Sequence, residues 1–371
     1  MKITDIRIKR FRSELDPPFF AAWDPTPRRV FEATLVFVDS SEGFTGVGSG
    51  DTMDGFDGFE DLFLGRDPLE MVRHVNVLET INFHAGRYWP LEAALWDLVG
   101  QVCNQPVATL FGGSTRRLPT YASCGELKPP EERAESALAL REEGFRAMKL
   151  RIASNRIEEG LKTVEAVREA VGDTMEIMVD LNQAWRMAGD VVQSIDTMMA
   201  NRVARQLQEL DVLWLEEPLP WADVKGLSAV RAASGMRIAG GEMARTLPEL
   251  LAYIEADALD VYQPDVVLSV GMMRSRFVAE LAMAHNRWFT PHTWTNGLGL
   301  LANLHVTAGI GGGPFIEFPY DPPGWTPERR DFMLAEPLKT DAEGCISVPN
   351  QTGLGVELDE TALLRYDVEA S

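Results

Sequence analysis

The chain has 371 residues, 45% of them hydrophobic and 25% charged, and a formal net charge of −21 at pH 7. This composition excludes a disordered chain, and the length allows a barrel, which alone takes about 250 residues, together with a smaller partner domain. The negative field disfavours nucleic acid and anionic membrane as partners but not a small anionic substrate, because a bound dication with nearby Lys and Arg can reverse the field inside one pocket.

The first residues, Met1 to Lys9, alternate apolar and charged side chains as a half-exposed strand does, and lack the continuous apolar core of a signal peptide. No stretch approaches the roughly 20 apolar residues of a membrane span. Three scattered cysteines, Cys103, Cys124 and Cys345, form no CxxC pair and leave an odd count, which fits a reducing compartment. A cytoplasmic location is the expectation.

Residues 1–117 read as an α+β unit. A strand starting at Ile3, a second over Arg29 to Phe37 and a third over Phe44 to Val47 make an antiparallel sheet. A Pro- and aromatic-rich loop from Asp16 separates the first two, and a Gly- and Asp-rich loop from Gly48 follows the third. Loops carrying aromatics and acids beside a rigid scaffold are common binding elements, although Phe19, Phe20 and Trp23 could equally pack beneath their own loop. Helices are expected near 68–82 and 90–103, and Gly112-Gly113 marks a linker.

From residue 118 the texture changes to strand-then-helix units. Strands fall at Leu118 to Ser123, Ala147 to Ile152, Glu176 to Leu181, Val212 to Leu215, Arg237 to Gly240, Leu259 to Gln263, Trp288 to Pro291 and Phe315 to Phe318. Helical segments separate them, one opening at Pro129-Pro130 and closing at Gly144, which is the expected punctuation. Eight such units indicate a (β/α) barrel, whose chemistry sits at the C-terminal ends of the strands. Residues 326–371 look irregular and are expected to fold back onto the first unit.

Three strand-like runs end abruptly in a carboxylate: Asp180, Glu216 and Glu242. Hard oxygen ligands on successive parallel strands, with no Cys or His among them, suit Mg²⁺ better than zinc. Any one of these acids alone could be a helix cap or a salt bridge; three in series favour a metal site. Glu217 and Asn182 stand beside them, placed to orient ligands or meet substrate. Lys149 and Arg151 are two apart on one strand and so share a face. A buried pair of cations is tolerable only opposite anions, although such a pair is common on a solvated face. Asp265 and His292 end adjacent strands, and a carboxylate bonded to one ring nitrogen makes the other a stronger base. His74, His84, His285 and His305 lie in helical or connecting segments and read as structural.

The motifs KLR (149–151), VDLN (179–182), WLEEP (214–218), GGE (240–242), YQPD (262–265), PHTW (291–294) and IEF (316–318) together resemble the enolase superfamily, mandelate racemase subgroup. The resemblance implies a (β/α)7β TIM-like barrel over 118–325 and an N-terminal α+β capping domain over 1–117, completed by the C-terminal segment 326–371. It implies Mg²⁺ on Asp180, Glu216 and Glu242, an acid/base His292 paired with Asp265, Lys149 on the substrate carboxylate, and a protonated Glu317 donating to the enolate oxygen. Capping loops at about 16–28 and 48–58 would close over the site, with Phe19, Trp23, Asp51, Met53, Trp294 and Trp325 as substrate-contact candidates beside Asn182. A homo-oligomer is the family's habit.

Arg151 stands where the family pattern often has a second lysine base. Arginine stays protonated, with a pKa above about 12. A racemase needs a base on each face of the α carbon, and this chain visibly has one. The expected reaction is therefore dehydration of a sugar acid, aldonate or aldarate, to a 2-keto-3-deoxy acid. A racemase or epimerase, and a barrel that binds Mg²⁺ without turnover, are the alternatives.

Overall fold

The computed structural model describes residues 1–84, 86–114 and 116–369. Its first element, β1 (Ile3–Phe19), pairs antiparallel with β2 (Arg28–Ser40), and β2 pairs with β3 (Thr45–Ser49). The strand β1 runs further than the sequence pattern indicates, through Asp16-Pro17-Pro18. It is an edge strand, where a missing N–H costs no ladder bond, and its register with β2 shifts between Glu14 and Phe19. Helices Met71–His84 and Trp89–Val102 cover this sheet. Leu91, Ala94, Leu95 and Leu98 of the second helix pack at helical spacing against Ile3, Val36 and Val38.

Eight parallel strands follow: β4 (Arg117–Ser123), β5 (Ala147–Arg151), β6 (Glu176–Asp180), β7 (Val212–Glu216), β8 (Ile238–Gly240), β9 (Val261–Tyr262), β10 (Trp288–Phe289) and β11 (Ile316–Pro319). Their order is β10-β9-β8-β7-β6-β5-β4-β11. Among the described residues no ladder joins β10 to β11. The gap is bridged instead by Gly313 N donating to Phe289 O at 2.7 Å and Thr290 Oγ1 donating to Phe315 O at 2.7 Å.

These strands are buried on both faces, which is why their sequences read as continuous apolar runs. Met178 points inward with Tyr121, Ala147, Trp214, Ala239 and Val261 to plug the barrel. Its neighbours Ile177 and Val179 point outward to the helices. The strands therefore have no polar side until they end, and the polar residues at their C-terminal ends form one floor.

The three-stranded unit docks on the barrel through buried polar groups. Both carboxylate oxygens of Glu92 accept the main-chain N–H groups of Met272 and Met273, at 3.0 and 2.9 Å. Gly271, at φ +83°, permits this approach, since a Cβ there would lie 2.0 Å from Glu92 Oε2. Trp89 Nε1 donates to Ser269 O at 2.6 Å, and Asn296 Nδ2 donates to Ser49 Oγ at 2.8 Å.

The C-terminal segment divides its contacts. The strand β12 (Cys345–Ser347) pairs antiparallel with the first half of β4, so this part joins the barrel rather than the first unit. The helix Glu360–Tyr366 packs on β1, and Asp367 accepts from Lys9 Nζ at 3.2 Å. Among the described residues, no helix is long and apolar enough to cross a membrane.

Candidate active site

The strand ends converge. Asp180, Glu216 and Glu242 each offer an oxygen within 4.8 Å of the others, and all three side chains are buried. Two sharp turns present them. Asn182 at φ +46° and Glu217 at φ +45° occupy the left-handed region, unfavourable for residues other than glycine, just past Asp180 and Glu216. The turn at Asn182 lets its own N–H donate to Asp180 Oδ1 at 2.6 Å.

Two cations answer these acids. Lys149 Nζ lies 2.5 Å from Glu216 Oε1, 2.8 Å from Glu317 Oε1 and 3.7 Å from Asp180 Oδ2. Arg151 is ion-paired with Asp180, and its remaining donors reach Asn182 Oδ1 (3.1 Å), Cys124 O (3.2 Å) and Ser123 Oγ (3.3 Å). Its guanidinium also stacks 4.9 Å from the Trp23 ring centre. Burial works against both charges, yet the surrounding carboxylates outweigh it and hold both pKa values above their ordinary range. Neither side chain can accept a proton.

His292 completes the set. Its Nδ1–H donates to Asp265 Oδ2 at 2.9 Å, which leaves Nε2 facing the cavity, 3.8 Å from Glu242 Oε2. Asp265 is itself held, with Oδ1 accepting from Val267 N at 2.9 Å and Asn303 Nδ2 at 3.2 Å. Burial opposes a charge on the ring, but Glu242, the Asp265 hydrogen bond and Glu317 lift its pKa to about 9. With Glu242 unneutralised the ring is held as a cation, and a dication on Glu242 would weaken that hold and free Nε2 to accept a proton.

Above the floor lies a cavity of about 820 Å³, lined by residues of both units, among them Trp23, Asp51, Asn182, Trp185, His292 and Trp294. Three other substrate-contact candidates lie elsewhere. Phe19 is fully buried in an aromatic cluster, its ring 5.1 Å from Trp325 and 5.8 Å from Trp294, so it and Trp325 support the cavity wall from behind. Met53 belongs to the core of the first unit, against Phe56 and Trp89. All three are large apolar groups beside a tighter apolar packing site, and burial wins.

Glu317 also departs from expectation. Its oxygens accept from Ser123 Oγ (2.7 Å), Thr293 N (2.7 Å) and Lys149 Nζ (2.8 Å). Burial favours the neutral acid, but Lys149 and His292 overcome it and hold the carboxyl below its ordinary range. In this structure Glu317 is an ionised acceptor, not a donor. Lys149 likewise is occupied by protein carboxylates and does not reach the cavity lining.

Several participants have only weak sequence signals. Trp214 Nε1 (3.1 Å) and Gln263 Nε2 (2.9 Å) both donate to Glu216 Oε2. Trp214 stands two residues before Glu216 on β7 and so shares its face, a cue that period-two reading could have used. Trp185, from the long connection after β6, donates to Glu242 Oε1 at 2.6 Å. Ser123 at the end of β4 ties Glu317, Arg151 and Trp294 together.

The site fits a hard dication. Six buried carboxylates, Asp180, Glu216, Glu217, Glu242, Asp265 and Glu317, face two permanent cations and one imidazole. Among the described residues, Glu242 Oε2 and both oxygens of Glu217 have no hydrogen-bond partner. Burial first, then Glu242, Asp180 and Glu216, push the Glu217 carboxyl far above its ordinary range. Such an excess of buried negative charge is stable with a cation among the ligands.

The comparisons with known proteins agree with this geometry. Residues 132–362 match the family model for enolase C-terminal domain-like proteins. The chain is 26% identical to the D-galactarolactone cycloisomerase of Agrobacterium fabrum, over 99% of each chain. It is 28% identical to the L-talarate/galactarate dehydratase of Salmonella typhimurium, over 81% of this chain and 72% of that one. The crystal structure of a racemase from Streptomyces coelicolor with bound magnesium superposes with a TM-score of 0.83 at 28% identity, over 99% of this chain and 100% of that one.

Proposed function

The chain belongs to the enolase superfamily, and from that premise we propose that it is a Mg²⁺-dependent dehydratase of a sugar acid, forming a 2-keto-3-deoxy acid. One observation carries the reading: among the described residues His292 is the imidazole facing the cavity, and Arg151, where a second base would stand, is locked as a cation by Asp180, Asn182, Ser123 and Cys124. A dehydration needs one base. The sugar acid dehydratase among the relatives supports the choice, while the cycloisomerase and the racemase keep the comparison from deciding it alone.

His292 Nε2 takes the proton from the carbon α to the carboxylate, and the C–H electrons form the new double bond. Asp265 holds the ring in the tautomer that leaves Nε2 free, and stabilises the imidazolium. The β-hydroxyl then leaves, accepting the same proton from His292, so that one water is released. The enol product tautomerises to the 2-keto acid. Arg151, which lines the cavity, keeps positive charge beside the carboxylate oxygens on which negative charge grows, and Lys149 adds to that field from behind, among Glu216, Glu317 and Asp180. A dication held by Asp180, Glu216 and Glu242 would supply further positive charge to those oxygens.

The test is a semicarbazide assay for 2-keto acids over a library of aldonic and aldaric acids at saturating Mg²⁺. At least one acid should give product, with loss of at least about 10²-fold in His292→Asn. Solvent deuterium entering the α position with inversion and without keto product would identify a racemase. A product of unchanged mass would identify an isomerase, and no reaction of any acid would refute turnover.

A further inference from the structure

The cavity carries a second positive feature that the chemistry above does not use. Arg87, from the capping unit, and Arg245, three residues beyond the metal ligand Glu242, both line it. Three residues span at most about 10 Å of chain, so Arg245 stands within substrate reach of the floor. Arg87 is anchored: it donates to Leu268 O, three residues beyond Asp265, and to Asp51 Oδ2 at 3.2 Å. Arg245 has no carboxylate within 4.0 Å of its guanidinium among the described residues. The adjacent Glu249 does not neutralise it, because Glu249 Oε2 accepts the main-chain N–H of Arg245 at 2.7 Å.

Arg87 and Arg245 therefore both line the cavity, close enough for the charge of Arg245 to act on Arg87, and of the two Arg87 alone has a carboxylate partner among the described residues. Burial and the like charge of Arg245 both disfavour the Arg87 cation. Arg245 is exposed and unpaired, so its guanidinium is free to receive an anion that enters the cavity. Guanidinium is the planar partner that recognises a carboxylate with two parallel hydrogen bonds.

We infer that the substrate is a diacid, an aldarate rather than an aldonate, whose second carboxylate is bound by Arg245 and Arg87. The inference rests on the sugar-acid reading above. One carboxylate lies over the metal ligands and Arg151. The other lies over Arg245, and the chain of carbon atoms between them passes His292. A phosphorylated aldonate would offer Arg245 similar chemistry, and the experiment separates the two.

The experiment is calorimetric binding, with Mg²⁺ present, of an aldarate, the aldonate of matching configuration and its terminal phosphate ester, to His292→Asn, which lacks the base, and to His292→Asn carrying Arg245→Met. Arg245 is exposed, so the variant should fold, which its circular dichroism checks. The aldarate should bind at least about 10-fold more tightly than the aldonate, the order of one charge-assisted pair, and that gap should close in Arg245→Met. Equal binding of the two acids, a gap that survives Arg245→Met, or tighter binding of the phosphate ester would overturn the inference. Binding is read without turnover. Failure of the dehydration assay would thus strike the proposed reaction, whereas a missing affinity gap strikes only the diacid.

Discussion

Arg151 and Asp180 sit directly opposite each other in the parallel register of β5 and β6, and their side chains form a buried ion pair at the strand ends. The pair places a permanent cation where a second base would have to stand. It also means that a metal ion must share Asp180 with a guanidinium. Removing one partner of a buried pair leaves the other uncompensated, at a cost of about 3 kcal/mol or more. Arg151→Met should therefore lower the urea-unfolding free energy by that order in the presence of a chelator. Added Mg²⁺ should restore more stability to the variant than to the wild type. Unchanged stability in chelator would show that the pair does not hold in solution.

Asp265→Asn separates the roles of base and metal. The carboxylate orients His292 and is not one of the three convergent metal ligands. An amide at this position cannot hold Nδ1–H with the same charge, so turnover should fall by about 10² to 10⁴, the usual worth of a general base. The Mg²⁺-dependent rise in melting temperature should persist. Loss of that rise together with the rate would place Asp265 in the metal site and remove the distinction.

Much of this was legible because barrel strands are buried on both faces. An apolar run that stops at Asp180, Glu216, Glu242, Asp265 or His292 marks the end of a strand and the floor of the site at once. What the sequence could not reveal depends on directions that only packing decides. Phe19 and Trp23 are four residues apart in the same stretch, yet one is fully buried behind the wall and the other lines the cavity. The ionisation of Glu317, which burial opposes, depends on Lys149 and His292, which come from separate strand ends. Arg87 and Arg245 are 158 positions apart, and no local pattern connects them.

Glu217 offers a stability test of the metal-free cluster. Both of its oxygens lack partners among the described residues, and burial with three neighbouring carboxylates raises its pKa far above the ordinary value. A group with a raised folded pKa binds its proton more tightly folded than unfolded, so stability falls as pH rises through and above the unfolded value. Glu217→Gln removes that linkage. In chelator the variant should melt higher than the wild type at pH 7.5, and the advantage should vanish near pH 4.5. A lower melting temperature at pH 7.5 would mean that the charged carboxylate has partners in solution.

His305 gives the opposite slope, away from the metal. Its Nδ1 accepts from Ala108 N at 3.0 Å and its Nε2–H donates to Leu354 O at 3.1 Å, so the buried ring is neutral and both nitrogens are committed. Burial lowers its pKa to about 4, against the modest lift of the Leu354 bond. The unfolded chain, at about 6.5, binds the proton first as pH falls. The stabilisation is complete above pH 6.5 and is lost progressively toward pH 4, and a pKa lowered that far corresponds to about 3 kcal/mol. Glutamine can accept from Ala108 and donate to Leu354 without titrating. The wild type should therefore exceed His305→Gln in unfolding free energy by more at pH 7 than at pH 4, the difference between the two gaps being about 3 kcal/mol. Because both proteins carry the same carboxylates, the acid titration of the metal cluster cancels in that comparison. A gap independent of pH would mean that folding leaves the pKa of the ring at its unfolded value, and a gap that widens as pH falls would mean that the folded ring is held as a cation.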